Sequence, residues 1–374
     1  MVIGIDAHSL EGKRTGVGRV LFNILKEWEK SQGVRFILYF KDRIPDDIPE
    51  IFEKKLLKTG STAKFIHWNL WRAVKRDKID VLFCPEYIGP ILYGGKMAVL
   101  LHDISYEAHP ESFNWKSPAD KILLRWVSRK TAQKKNAILL VPVNFVKDEV
   151  IKHYKIPVQR MTVTGEGVDS NLIAKSEDKT AAKLAAVKEK FGIKDKFVFY
   201  VGSIFSRRHL PEIISAFEKL AAKNPGFQFL VAGKDYTHVQ TVDKMAGDLN
   251  RKLGYEAIIR VDFADDDDLK LLYSACAFFI WLSDYEGFGL PPLEAMANGA
   301  PVITTNGTSL AEVAGNAALL VNNNENIEEI AAAMEKINQD EALRRSLIER
   351  GYERAKKYSW KDCAENILKA LIKS

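Results

Sequence analysis

The sequence predicts an α/β protein made of two doubly wound domains, each a parallel sheet covered by helices on both faces. Three observations carry that expectation. Apolar β-branched runs alternate with amphipathic stretches from one end of the chain to the other. The runs are continuously apolar, as strands buried on both faces are. The series stops at the polar stretch "SNLIAKSEDKTAAK" (170–183) and then starts again. A length of 374 residues fits this, since single cores rarely grow past ~250 residues.

In the first series "VIGID" (2–6), "RFILYF" (35–40), "DVLFCP" (80–85), "KMAVLLHD" (96–103) and "NAILLVPV" (136–143) read as strands. Helices are expected at 18–31, 61–76 and 117–135, where apolar residues recur with helical spacing. In the second series strands are expected at 196–203, 228–234, 257–263, 277–283, 300–306 and 316–322, each beside a helix-like segment. The expected boundaries are 1–172 for the first domain, 173–357 for the second, and 358–374 for a terminal helix. Ligands of open α/β sheets sit beyond the carboxyl ends of the strands, so chemistry is sought in the loops there and in a cleft between the domains.

Composition narrows the classes. Hydrophobic residues make up 47% of the chain and charged ones 28%, which argues against extensive disorder. No run reaches the ~20 apolar residues of a membrane span, and the start "MVIGIDAHSL" lacks a signal-peptide pattern. Cys84, Cys276 and Cys363 stand far apart, as expected of free thiols in a reducing cytoplasm. Up to residue 172 there are 28 basic against 20 acidic side chains, and 27 against 29 beyond it. The basic surplus of the first half suits an anionic substrate or membrane surface. Nothing in the sequence calls for a nucleic-acid partner.

The most informative stretch is "DYEGFGLPPLEAMANGAPVI" (284–303), which follows the strand "AFFIWLS". Pro291 and Pro292 suit a helix start and Gly299 its stop, so Glu294 is expected in the first helical turn. Gly287 and Gly289 permit a tight turn with N–H groups facing a ligand, and a helix N-terminus favours negative charge in front of it. By themselves, Glu286 could be solvated and Glu294 could merely complement the helix dipole.

This stretch resembles the glutamate–seven–glutamate motif of the retaining GT-B glycosyltransferases, family 4 in particular. The resemblance covers nearly the whole chain, up to "YSWKDCAENILKALIK" (358–373), which is similar to a helix returning to the first domain. It implies the GT-B fold, two Rossmann-like domains facing a central cleft. It also implies that Glu286 lies by the hydroxyls of a donor sugar and Glu294 by a ribose diol, where carboxylates accept charge-assisted hydrogen bonds. "YVGSIFSRRHLPEIISAF" (200–217), with Gly202, resembles the loop that clamps the donor diphosphate. Arg207 and Arg208 stand there in place of the family's Arg-Lys pair. His102 and Asp103, in "VLLHDISYEAHP" (99–110), fall by resemblance near the reacting centre, with Asp103 orienting the histidine ring or binding acceptor. The backbone of Phe263 to Leu269 is the implied wall for the base.

Gly16 and Gly18, in "EGKRTGVGRVLFNIL" (11–25), let backbone approach a phosphate ahead of a helix. A nicotinamide dehydrogenase would use such glycines, with Asp42 as the ribose acid. The glycines lie ten residues past Asp6 and a third is absent, which departs from the dinucleotide fingerprint. The run "DDDD" (265–268) could bind Mg²⁺, but acids ahead of an amphipathic helix are explained by capping. The segment 120–135 carries Lys121, Arg125, Arg129, Lys130, Lys134 and Lys135 with Leu123, Leu124 and Trp126. It reads as a core helix with a charged outer face, or as a dock for anionic lipid.

The expectation is therefore retaining transfer of a hexose, with mannose as the favoured case, from a UDP- or GDP-sugar to a glycan or lipid-linked acceptor. No metal or other cofactor is required. The backbone of Gly16 to Gly18 and of Gly287, Phe288, Gly289 and Leu290 would assist the arginines. The protein would act in the cytoplasm, at the inner face of the membrane if the basic helix docks there. The alternatives are a nucleotide-sugar epimerase of the same fold and a non-catalytic nucleotide-sugar sensor.

Overall fold

The computed structural model describes residues 1–12, 14, 16–111, 115, 117–237 and 241–373. The chain forms two compact units, Met1–Gly167 with the segment from Ser359 onward, and Val168–Tyr358.

Among the described residues the first unit holds one seven-stranded sheet, with every pairing parallel. Its strands are β1 (Val2–Asp6), β2 (Arg35–Phe40), β3 (Glu53–Leu56), β4 (Val81–Cys84), β5 (Lys96–Leu100), β6 (Ala137–Val141) and β7 (Met161–Val163). They lie in the order β3-β2-β1-β4-β5-β6-β7. The second unit holds a six-stranded parallel sheet of β8 (Phe197–Val201), β9 (Gln228–Ala232), β10 (Ile258–Val261), β11 (Phe278–Trp281), β12 (Val302–Thr305) and β13 (Ala318–Val321). Its order is β10-β9-β8-β11-β12-β13. Strand order therefore reverses between β1 and β4 in one unit and between β8 and β11 in the other. Such switch points are where open α/β sheets place ligands.

The strands expected from apolar runs are all present, and β3 and β7 are additional. The sequences "EKKL" and "MTV" are short edge strands without a buried run, and β3 carries charges that bind Arg35 and Asp77. Edge strands are protected in this way against pairing with other chains, and an apolar-run search passes over them.

In the first unit Trp28 stacks on Phe36 at 5.1 Å and meets Phe83 edge-on. Its indole Nε1 donates to the carbonyl of Ala364 at 3.0 Å, which ties the helix Trp360–Lys373 to the helix Val17–Trp28. Gly167 makes the return possible, since a Cβ there would lie 2.2 Å from the Trp360 nitrogen. In the second unit Tyr200 of β8 stacks on Trp281 of β11 at 5.0 Å, at the switch point itself.

The helix Pro118–Gln133 starts as its sequence suggests, with Ser117 Oγ accepting from the Asp120 N–H and Pro118 in the first turn. Arg125 and Arg129 both bind the buried Glu107, and Lys134 donates to the Ile91 carbonyl, so part of its basic character is internal. Ile122 and Trp126 are 71% and 51% exposed. The tetra-aspartate run opens the helix Asp266–Ala275: Asp265 caps it by accepting from the Asp268 N–H at 2.8 Å, and Lys190 pairs with Asp268. Among the described residues no cluster of three His, Cys, Asp or Glu side chains could hold a metal ion, and no helix is long and apolar enough to cross a membrane. The three cysteines are buried free thiols.

Candidate functional site

In the second unit the loops after β8 and β11 meet at the switch point. The β8 loop begins with Gly202, whose φ is +142°, and a Cβ there would lie 2.6 Å from the Trp281 ring. Glycine is needed because the loop passes over the indole. The loop ends in a short turn at Ser206–Arg208, after which His209 takes a left-handed conformation (φ +50°) and opens the helix Leu210–Lys223. The β11 loop ends at Gly289, whose φ of +108° makes it the N-cap of the helix Leu290–Ala297.

Arg208 joins the two loops. Its Nε donates to Glu286 Oε1 at 3.0 Å, and the guanidinium centre lies 4.3 Å above the Trp281 ring. Burial works against its charge, and Glu286 more than compensates, raising the arginine pKa further. Both side chains are largely out of solvent, at 11% and 14% exposure. Glu286 is thus not the solvated residue that its loop position alone would suggest. Arg207 is differently placed. Its guanidinium rests 4.7 Å from the Phe205 ring, and its buried Nε has no hydrogen-bond partner among the described residues.

Glu294 departs from expectation. The helix begins at Leu290, so Glu294 sits beyond the first turn, where the dipole argument does not reach. It is 3% exposed, and the Tyr273 hydroxyl donates to its Oε2 at 3.0 Å. The same helix ends at Asn298 and Gly299 (φ +86°), as its sequence indicates. Phe288 is buried edge-on against Tyr358, so it supports the loop rather than facing outward.

A polar network that sequence reading missed holds the two loops in register. His209 Nε2 lies 2.7 Å from Asp284 Oδ1, Asn324 donates to the same oxygen at 3.0 Å, and Thr305 Oγ1 donates to Asn324 Oδ1 at 2.8 Å. Ser309 Oγ donates to the Glu286 carbonyl at 2.6 Å. Asp284 opens the stretch 284–303, and an acid directly after a strand was the available signal.

In the first unit the switch point is marked by His8, which sequence reading also missed. It follows β1, with Nδ1 2.7 Å from Asp6 Oδ1 and Nε2 3.6 Å from Glu86 Oε1 after β4. Burial disfavours its charge, but Asp6 and then Glu86 outweigh this and push its pKa up to about 9. Glu86 is itself raised, chiefly by burial. The signal was an acid and a histidine two residues apart at a strand end.

His102 lies after β5, where expected, but both ring nitrogens are occupied. Nε2 donates to the Pro85 carbonyl at 3.0 Å, and Nδ1 lies 3.2 Å from Glu166 Oε1. Burial opposes protonation, yet Glu166 prevails and the pKa is raised. Asp103 does not orient that ring. Its Oδ1 accepts from the N–H and hydroxyl of Ser105, both at 2.8 Å, and Glu166 does the orienting. Gly16 (φ +48°) precedes the helix Val17–Trp28, and Gly18 lets that helix pass the Ser9 carbonyl, 2.3 Å from where a Cβ would lie. Lys13 and Thr15 of this loop lie outside the described residues. Asp42 accepts from the Gly60 N–H at 2.8 Å, a turn contact rather than a ribose site.

Comparison with known proteins adds sequence relationships to this geometry. Residues 184–354 match the model for "Glycosyl transferases group 1" and residues 14–172 that for "Glycosyltransferase Family 4". The chain is 26% identical to the O-antigen chain mannosyltransferase B of Escherichia coli over 380 residues, 95% of either chain. It is 31% identical to the serotype-specific mannosyltransferase WbdA of Escherichia coli over 218 residues, which cover 58% of this chain and 26% of that one. Among solved structures, Anabaena Alr3699/HepE in complex with UDP and glucose superposes with a TM-score of 0.75 at 16% identity, covering 100% of this chain and 99% of the other.

Proposed function

The chain belongs to glycosyltransferase family 4, the group 1 glycosyl transferases, with the GT-B fold and retaining chemistry, and from that premise we propose that it transfers a hexose, mannose in the first instance, from a nucleoside diphosphate sugar to a glycan or lipid-linked acceptor. The reading rests on one observation above the others: two arginines, a carboxylate and a helix N-terminus converge where strand order reverses in the second unit. The mannosyl preference rests on relatives named mannosyltransferases.

A retaining transfer without a covalent intermediate breaks the bond between the anomeric carbon and the diphosphate while the acceptor hydroxyl attacks on the same face. The acceptor proton passes to an oxygen of the departing phosphate. Negative charge accumulates on that group, and catalysis consists mainly of holding it with preorganised donors. Arg207 offers a guanidinium with an unused Nε. Arg208, fixed by Glu286 and Trp281, supplies a second positive centre with no freedom to reorganise. The N–H groups at Gly289 and Leu290 open a helix whose positive end suits phosphate. Glu294, buried against Tyr273, is assigned to the ribose hydroxyls, and Glu286 to those of the sugar. In this reading no metal is needed. His102, with both ring nitrogens held by Pro85 and Glu166, has neither a lone pair for base catalysis nor a free N–H, so it bounds the site rather than bonding to the sugar.

Thermal unfolding against a panel of nucleotide sugars tests the donor. A binder at 100 times its Kd raises stability by ~2.7 kcal/mol, and GDP-mannose is expected to give the largest shift. Product analysis on incubating the donor with glycan acceptors then separates transfer from epimerisation, which would yield an altered donor sugar. A panel with no shift, or epimerised donor without transfer, overturns the reading.

A further inference from the structure

The first unit contains an apolar pocket that the donor reading does not use. Its volume is about 530 Å³, within the ~300–1,000 Å³ of small-molecule sites. Ile66, Ile88, Leu123, Leu124 and Val127 form most of the wall, with the ring of Tyr87. Among the described residues Asp120 is the one charged residue in the lining, and it belongs to the first turn of the helix Pro118–Gln133. His67 also faces the pocket, and burial lowers its pKa. Its buried Nδ1 has no hydrogen-bond partner among the described residues. Thr62, His67, Tyr87 and Asp120 bring polar atoms to the lining, but apolar side chains make up most of it.

Its position gives the pocket a meaning. Tyr87 and Ile88 follow β4 directly, beside Glu86, which faces His8 at the switch point. The remaining wall comes from the first halves of the helices that follow β3 and β5, so the whole pocket lies at the ligand-binding end of the sheet. At its edge Trp115 lines the pocket, with the Lys121 ammonium 5.9 Å from the ring centre. Leu123, 57% exposed, continues the apolar surface outward.

We propose that this pocket holds the aliphatic chain of a lipid-linked acceptor, with the chain's phosphate beside Lys121 and its sugar toward Glu86. The proposal rests on the glycosyltransferase reading above and names the acceptor class. The three parts of such a molecule match what adjoins here: a mainly apolar cavity with Asp120 in its lining, a cation at its rim, and acid and histidine side chains at the switch point.

The test uses the full chain with farnesyl monophosphate and geranyl monophosphate as probes, followed by calorimetry. Farnesyl monophosphate is expected to bind saturably and more tightly than the shorter geranyl compound, and inorganic phosphate to bind far more weakly. Ala63→Trp fills the pocket and Leu123→Glu charges its wall; both positions are exposed, so the fold survives. Each variant is expected to weaken farnesyl monophosphate at least tenfold while the nucleotide-sugar thermal shift stays unchanged. Equal affinity in the variants, or equally tight inorganic phosphate, overturns the proposal. So does loss of binding to phosphatidylcholine vesicles with farnesyl monophosphate binding intact, which would make the face a bilayer dock. A nucleotide sugar that shifts wild-type stability when farnesyl monophosphate does not bind defeats this inference alone; absence of the nucleotide-sugar shift defeats the donor reading.

Discussion

Arg208 and Glu286 form a buried ion pair, Nε to Oε1 at 3.0 Å, across the two loops that close the switch point of the second unit. Each charge is held in place by the other, and neither is solvated enough to stand alone. Removing one partner of such a pair typically costs ~3–5 kcal/mol, because the remaining charge is left buried. Glu286→Ala is therefore expected to lower the melting temperature of the donor-free protein strongly. Adding Arg208→Ala should restore part of the loss, and a double-mutant cycle by denaturant unfolding measures the coupling. Additive single effects would show that the pair is not coupled.

Arg207 should behave in the opposite way. Its buried Nε makes no hydrogen bond among the described residues, so the fold gains little from it. Arg207→Ala is expected to leave stability within ~0.5 kcal/mol. If the guanidinium meets the departing diphosphate, the variant should lose about 2–4 kcal/mol of transition-state stabilisation, read as kcat/KM. Unchanged turnover would remove Arg207 from the reaction.

The contrast between these neighbours shows what the sequence made legible. The loop after β11 could be found because glycines and prolines next to acids have few structural uses, and the strands could be found because their runs are continuously apolar. The division of labour between Arg207 and Arg208 could not, because it depends on where Trp281 and Glu286 arrive in space. The same holds for His102, whose ring partner Glu166 is 64 residues away, and for His8, held between Asp6 and Glu86. Glu294 is expected in the first helical turn but lies one residue further along the helix, since the start is set by the left-handed Gly289 rather than by the first proline. β3 and β7 escaped notice because edge strands are short and solvated on one side.

Gly202 gives a prediction about strain. With φ at +142° and a Cβ position 2.6 Å from the indole of Trp281, alanine must distort the backbone or displace the stacked ring. Either costs of order 1–3 kcal/mol. Gly202→Ala is expected to lower stability by that amount and, because Arg208 lies on the same indole, to weaken donor binding as well. A variant as stable as wild type would mean that the loop relaxes freely.

His8 gives a pH dependence. Its pKa is raised from 6.5 to about 9 in the fold, so protonated His8 favours the folded state. That contribution is complete below pH 6.5 and disappears as pH climbs through about 9. The groups facing it are Asp6, Glu86 and the more distant Lys41, so the attraction is to two carboxylates. The difference corresponds to about 3 kcal/mol at one pKa unit per ~1.4 kcal/mol. Urea unfolding between pH 6 and pH 9.5 should show wild type losing stability relative to His8→Gln; parallel curves would contradict the assignment.

The pairing of Tyr273 with Glu294 separates a structural role from a ligand role. The phenol donates to Oε2 at 3.0 Å inside the second unit, and Glu294 is 3% exposed. A carboxylate kept buried for stability alone would be an expensive choice, since an amide of the same shape could accept the same hydrogen bond. Glu294→Gln retains shape and an acceptor but removes the charge, so it should leave the melting temperature nearly unchanged or raise it. A ribose diol would feel the change directly, because hydrogen bonds to a charged group contribute ~1.5–3 kcal/mol. GDP affinity in Glu294→Gln is therefore expected to fall about tenfold to a hundredfold, equivalent to ~1.4 kcal/mol per tenfold step. Tyr273→Phe should instead lower stability by ~1 kcal/mol and affect nucleotide affinity less. Calorimetric titration with GDP and UDP distinguishes the two roles: an amide variant that binds both as wild type does would leave Glu294 with no part in holding the nucleotide.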